Sequence, residues 1–140
     1  MLAPKKAKYR KWQSGRRGAR RLNAPETRGI TVAFGSYGLK AMTGARIRSE
    51  QIEAARRAIS RTVSKTGRVW IRIFPDRPYT AKAAEVGMGK GKGDPQGYVF
   101  EARPGRVLFE VDGVGEAIAR EALRKGGAKL PVKTRVVARA

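Results

Sequence analysis

The side chains able to do chemistry in this chain are nearly all cations. Positions 5–21 carry nine basic residues and no acid: Lys5, Lys6, Lys8, Arg10, Lys11, Arg16, Arg17, Arg20 and Arg21, with Tyr9 and Trp12 interleaved. Ammonium and guanidinium groups at this density neutralise phosphates, and aromatic rings among them stack on bases or pack against sugars. Over the whole chain Arg outnumbers Lys 20 to 12, which favours forked contacts to phosphate over diffuse attraction. The alternative is a solvated tail. No hydrophobic period is sustained there, and Gly15, Gly18 and Pro25 interrupt it, so the free segment has little to bury and should be mobile. Total charge favours the nucleic-acid arm: 32 basic and 11 acidic residues among 140 leave +21, which strains a compact state unless a polyanion neutralises it.

A second basic element is the run Gly87-Met88-Gly89-Lys90-Gly91-Lys92-Gly93, continued by Asp94-Pro95-Gln96-Gly97. Ordering these eleven residues costs on the order of 10 kcal/mol, and their side chains offer little buried surface in return. The stretch 76–97 therefore reads as a flexible loop that orders against a partner. It is not a mononucleotide site: no Gly is followed, after four residues, by Gly-Lys-Ser/Thr, and Pro95 with a strand behind it removes the helix that would cradle phosphate. Close backbone approach to a polyanion, with Lys90 and Lys92 as point charges, is the chemistry that remains.

Most enzyme designs are excluded by what is missing. With no Cys and no His, thiolate nucleophiles, Cys-ligated zinc and the commonest general base are gone. The three aspartates, Asp76, Asp94 and Asp112, each stand beside Pro or Gly, where turn chemistry alone would put them. No cofactor or metal site is expected. No apolar run reaches membrane-spanning length, and the amino terminus lacks a secretory apolar stretch, although its Arg-rich character would suit an organelle transit peptide.

The elements that must position these groups form one domain, since 41% apolar content supports a core. Residues 30–34 (Ile-Thr-Val-Ala-Phe) read as a first strand and 37–42 as a second. Ser49 reads as an N-cap, and Ile52, Ala55, Ile59 and Val63 recur on one face of a helix ending near Gly67. Arg56 and Arg57 lie off that stripe and suit RNA. Residues 68–74 alternate as a strand with Val69, Ile71 and Ile73 on one face. Trp70, Arg72 and Phe74 occupy the other, which is therefore not simply solvent. Residues 75–78 (Pro-Asp-Arg-Pro) stop it. Strands at 98–103 and 106–111 around Pro104-Gly105 read as a hairpin. A second helix at 114–125, with Val114, Ile118, Ala122 and Leu123 inward, ends at Gly126-Gly127, and 130–137 makes a last strand. The class is α+β: a compact antiparallel or mixed sheet carrying two helices, at 29–140, behind a basic extended tail at 1–28.

Several runs, in order, resemble a known family. Phe34-Gly35-Ser36-Tyr37-Gly38-Leu39, Gln51-Ile52-Glu53-Ala54-Ala55-Arg56, Lys65-Thr66-Gly67-Arg68-Val69-Trp70-Ile71-Arg72-Ile73-Phe74-Pro75, Met88-Gly89-Lys90-Gly91-Lys92-Gly93 and Lys129-Leu130-Pro131-Val132-Lys133-Thr134 are similar to the bacterial-type large-subunit ribosomal protein L-sixteen family. So is the opening Met1-Leu2-Ala3-Pro4 with Tyr9-Arg10-Lys11. The resemblance implies a non-enzymatic rRNA-binding protein near the peptidyl-transferase and tRNA-accommodation region, with a role in late subunit assembly. By position it implies rRNA contact by Lys5, Lys6, Lys8, Arg10, Lys11, Arg16 and Arg17, to which the charge and aromatic pattern adds Trp12, Arg20, Arg21, Arg56 and Arg57. A tRNA-facing loop at Met88, Gly89, Lys90, Gly91 and Lys92 follows from it too. Implied partners are large-subunit rRNA, A-site tRNA with P-site tRNA as a further contact, and neighbouring ribosomal proteins. The protein would be a monomer within a cytoplasmic ribosome, an organelle ribosome being the alternative. Two departures stand out: Gly87 replaces an Arg usual in the family, and 20–28 is several residues longer than usual. A free nucleic-acid-binding or annealing protein is the competing reading.

Overall fold

A computed structural model describes residues 1–13, 18–87, 89 and 91–140, the side chains of residues 18 and 19 apart. Its elements run α1 (Gly18–Asn23), β1 (Tyr37–Ala41), β2 (Ala45–Arg48), α2 (Ser49–Val63), β3 (Arg68–Ile71), β4 (Arg77–Ala81), β5 (Asp94–Ala102), β6 (Val107–Asp112), α3 (Glu116–Gly127) and β7 (Thr134–Ala138). The class is α+β, as expected, but the strands divide between two antiparallel sheets, ordered β3-β6-β1-β7 and β2-β5-β4. Two longer helices pack on each other and on the four-stranded sheet.

Helix α2 follows the sequence periodicity. Ile52, Ala55, Ile59 and Val63 are all buried and join Leu39, Phe109, Val111 and Leu123 in one core. The cap differs by one residue: Arg48 is the N-cap and Ser49 the first helical residue, because Gln51 Oε1 accepts the Arg48 backbone N–H at 2.9 Å. Helix α3 differs in phase. Ile118 is 48% exposed, and the buried stripe is Ala119, Ala122, Leu123, Gly126 and Gly127. The two glycines do not end the helix but form its last turn, where a Cβ on Gly126 would stand 2.5 Å from Ile59 Cγ1. Close helix approach, not side-chain hydrophobicity, sets this face.

Three strand expectations are corrected. Residues 30–34 form no strand; they cross the four-stranded sheet on the face opposite the helices. Gly38 and Glu110 pair across β1 and β6 on that face, and Val32 Cγ2 would lie 2.9 Å from a Cβ on Gly38. Strands 98–103 and 106–111 are not a hairpin. β5 pairs with β2 and β4, β6 with β1 and β3, so the turn at Pro104-Gly105 carries the chain from one sheet to the other. Nor does the Pro-Asp-Arg-Pro run end strand structure: β4 begins at Arg77 and pairs with β5 from Arg77↔Val99 to Ala81↔Asp94. As an edge strand it tolerates Pro78, whose missing N–H costs no ladder bond on the open side. The Gly–Lys loop is thus the tip of the β4–β5 hairpin. The last strand is confined to Thr134–Ala138, and the basic segment expected to lack structure contains the short α1.

Candidate nucleic-acid interface

The tail does not project freely along its whole described length. Leu2 packs against the core, while Lys5, Lys6, Lys8, Arg10 and Lys11 are exposed to solvent. A cavity of about 230 Å³ separates the tail from the body, lined among others by Lys6, Tyr9, Trp12, Phe74 and Asp76. At its end stands Arg77, only 8% exposed. Its guanidinium lies 5.5 Å from the centroid of the Trp12 ring. It pairs with Glu101 at 2.6 Å and donates to the Gln13 carbonyl at 3.2 Å. One arginine thereby neutralises the nearest carboxylate, covers an aromatic face and fixes the tail backbone.

The Gly–Lys loop meets the tail at the same place. Lys11 Nζ donates to the Lys92 carbonyl at 3.4 Å, and Lys92 Nζ donates to the Trp12 carbonyl. Two elements read separately from the sequence, the rRNA arm and the tRNA-facing loop, share one junction. Gly89 and Gly91 have φ of +97° and +92° with open space around them, the left-handed backbone that a side chain would strain. Arg16, Arg17, Met88 and Lys90 lie outside the described residues.

Arg20 and Arg21 are exposed in the last turn of α1. The chain that follows is held to the inter-sheet turn: Arg103 donates to the carbonyls of Ala24 and Pro25, both at 3.2 Å, and Glu26 N–H donates to the Pro104 carbonyl at 2.8 Å. Arg56 and Arg57 form a separate group on α2. Both contact Glu53, Arg56 at 2.5 Å and Arg57 at 3.3 Å. The Arg56 hydrogen bond, with the Arg56 and Arg57 charges behind it, holds the Glu53 carboxyl down at about 2 against the opposing effect of burial. Arg56 is therefore partly committed within the helix, whereas Arg57 keeps 70% of its side chain exposed.

Sequence reasoning missed a third cluster. Glu110 is fully buried, yet its carboxylate accepts the Ala33 N–H at 2.5 Å and the Phe34 N–H at 3.3 Å. It also pairs with Arg72 at 3.0 Å. Arg72 in turn donates to the Thr31 carbonyl at 3.3 Å, and Arg106 donates to the carbonyls of Arg28 and Arg72. The signal was one acid inside the apolar run Val107-Leu108-Phe109-Glu110-Val111. A mid-strand carboxylate among core residues must have bonded partners. Asp112 is explained similarly as a turn residue: Ser36 Oγ at 2.7 Å and the Gly113 N–H at 2.8 Å hold its carboxyl below the usual range.

Among the described residues no cluster of potential metal ligands occurs, and no helix is long and apolar enough to cross a membrane. What the geometry offers is a cationic, aromatic-studded surface on a rigid α+β body. The family model for ribosomal protein L16p/L10e matches residues 4–137. Full-length relatives include the large ribosomal subunit protein uL16 of Maricaulis maris and of Nitrobacter hamburgensis, each 55% identical over 99% of this chain and 98% of the relative. The same protein from Afipia carboxidovorans is 54% identical over the same shares. The chain belongs to the ribosomal protein L16p/L10e family.

Proposed function

We propose that this chain is a structural, non-enzymatic constituent of the large ribosomal subunit in the cytoplasm, acting there as a monomer. Its tail at 1–28 binds large-subunit rRNA, and residues 29–140 form the domain that seats it. The β4–β5 hairpin tip faces tRNA, at the A site and also toward the P site, and the protein supports late assembly beside neighbouring ribosomal proteins. The observation that carries this reading is the junction at Arg77, Trp12, Lys11 and Lys92. Lys11 of the tail and Lys92 of the Gly–Lys hairpin each bond the other's chain there, with Glu101 paired to Arg77, so an RNA bound by the tail lies beside the loop.

Sedimentation of a lysate on sucrose gradients, probing for this chain, tests it. Co-migration with the large subunit and with intact ribosomes at moderate salt is expected; recovery only in free fractions or on messenger RNA would overturn it in favour of an extra-ribosomal RNA binder. In binding assays with rRNA fragments, contact with about ten phosphates gives a log–log salt slope of about −7 to −9. Changing Lys5, Lys6, Lys8, Arg10 and Lys11 to Ser, with Leu2 retained, should flatten that slope by about 4.

A further inference from the structure

On the face of the four-stranded sheet away from the helices, the segment 28–34 ends in an exposed aromatic stack. Phe34 is 56% exposed, and its ring lies 6.2 Å from that of Trp70 at an interplanar angle of 20°. The Arg72 guanidinium sits 5.1 Å from the Phe34 centroid. Trp70 is on this face because it pairs with Glu110 across β3 and β6. An aromatic this exposed gains little for the fold, yet it is rigidly held. The fully buried Glu110 carboxylate accepts the Phe34 N–H and, at 3.0 Å, the Arg72 guanidinium, so one acid fixes both the backbone that carries the ring and the cation beside it.

From this we infer that Phe34, backed by Trp70 and flanked by Arg72, is a stacking platform for an unpaired nucleobase of RNA. The exposed part of the ring takes any base, and the guanidinium lying over it adds its attraction to the π-system. Complementary charge supports this occupant: Arg28 and Arg106 lie at the start of the same segment, joined through the Arg28 carbonyl; Glu110 is paired with Arg72, and Asp112, two residues on along β6, lies in the field of Arg68 and Arg139. The inference rests on the RNA-binding reading above and adds a contact independent of the tail and of the hairpin tip.

The test uses the full chain with Trp12 in place for every affinity, and reads Trp70 emission separately in a Trp12→Phe variant, where Trp70 is the sole tryptophan. The probes are a single-stranded oligoadenylate and an RNA duplex of equal phosphate number. The single strand, not the duplex, should quench Trp70 emission. Phe34→Leu, which keeps apolar volume, should weaken single-strand binding by about 5- to 150-fold, the range for one base on one ring, with the salt slope unchanged. Phe34→Tyr should restore it. Equal single-strand affinity in Phe34→Leu, or an equal loss for both probes, would overturn the platform while leaving RNA binding intact. Failure of the parent to bind either probe would overturn the RNA-binding reading itself, and the platform with it.

Discussion

Glu110→Gln gives the sharpest test of how the sheet's outer face is held. The wild-type carboxylate is fully buried and serves two backbone N–H groups and one guanidinium. The amide keeps one acceptor oxygen, which in the Oε1 position still serves both Ala33 and Phe34. Its NH₂ then faces Arg72, donor against donor. Breaking a buried ion pair costs about 3–5 kcal/mol, reduced here because the Arg72 side chain is 18% exposed and can turn to water. This gives a loss of about 2–4 kcal/mol. That is a large share of a domain's total and lowers the urea midpoint by about 1–2 M. Removing the facing cation as well, in Glu110→Gln/Arg72→Met, should recover about 1–2 kcal/mol, because the amide NH₂ then no longer meets a guanidinium. Urea unfolding followed by circular dichroism decides it. A single variant within about 0.5 kcal/mol of wild type, the scatter of an ordinary surface change, would refute the assignment of Glu110 as the lock.

Other outcomes follow from the same geometry. The Glu53 carboxyl, held near 2 by Arg56, contributes stability that is complete above its unfolded value and is lost as pH falls from about 4.5 toward 2. Melting curves of Glu53→Gln should accordingly show a shallower decline over that window, and an unchanged decline would count against the pairing. Gly126→Ala sets helix propensity, worth about 1 kcal/mol in favour of Ala, against a Cβ 2.5 Å from Ile59 Cγ1. Overpacking of about 1–3 kcal/mol should win, and a raised melting temperature would disprove the close helix contact. Arg77→Gln should cost about 1–3 kcal/mol by stranding Glu101 and speed tryptic cleavage after Lys11; an unaltered cleavage rate would mean that the tail is held elsewhere.

The sequence was legible where one local rule decides one element. The Ile52, Ala55, Ile59 and Val63 stripe suffices for α2, because burial is its main constraint, whereas the alternation read over 68–74 marks β3 but overruns it, since the strand ends at Ile71. It was illegible where the same residues serve two tertiary outcomes. Pro104-Gly105 can close a hairpin or turn a corner between sheets, and only strand partners outside the turn distinguish these. The β-prone run 30–34 looks like a strand until it is known that Glu110, not a neighbouring ladder, accepts its N–H groups. Ile118 and Ala119 exchange roles because the α2–α3 contact selects small residues, which hydrophobicity cannot register. Among site residues, the exposed cations from Lys5 to Lys11 were evident from charge alone. Arg77 was hidden inside an apparent stop signal, and the pairing of Arg56 with Glu53 follows only from helical spacing read in the backward direction.

The lock at Glu110 also has a mechanical meaning. Segment 28–34 lies across the sheet between the basic arm and β1, so a pull on the arm passes through the bonds of Ala33 and Phe34 to Glu110 before it reaches the first strand. Those bonds anchor to β6, a central strand braced on both sides, and Arg103 and Arg106 hold the preceding residues at further points. The arrangement is that of a cable clamp. Tension on the residues just before the clamp ends there, while the first thirteen residues are tied separately, by Leu2 to the core and by Arg77 to β4.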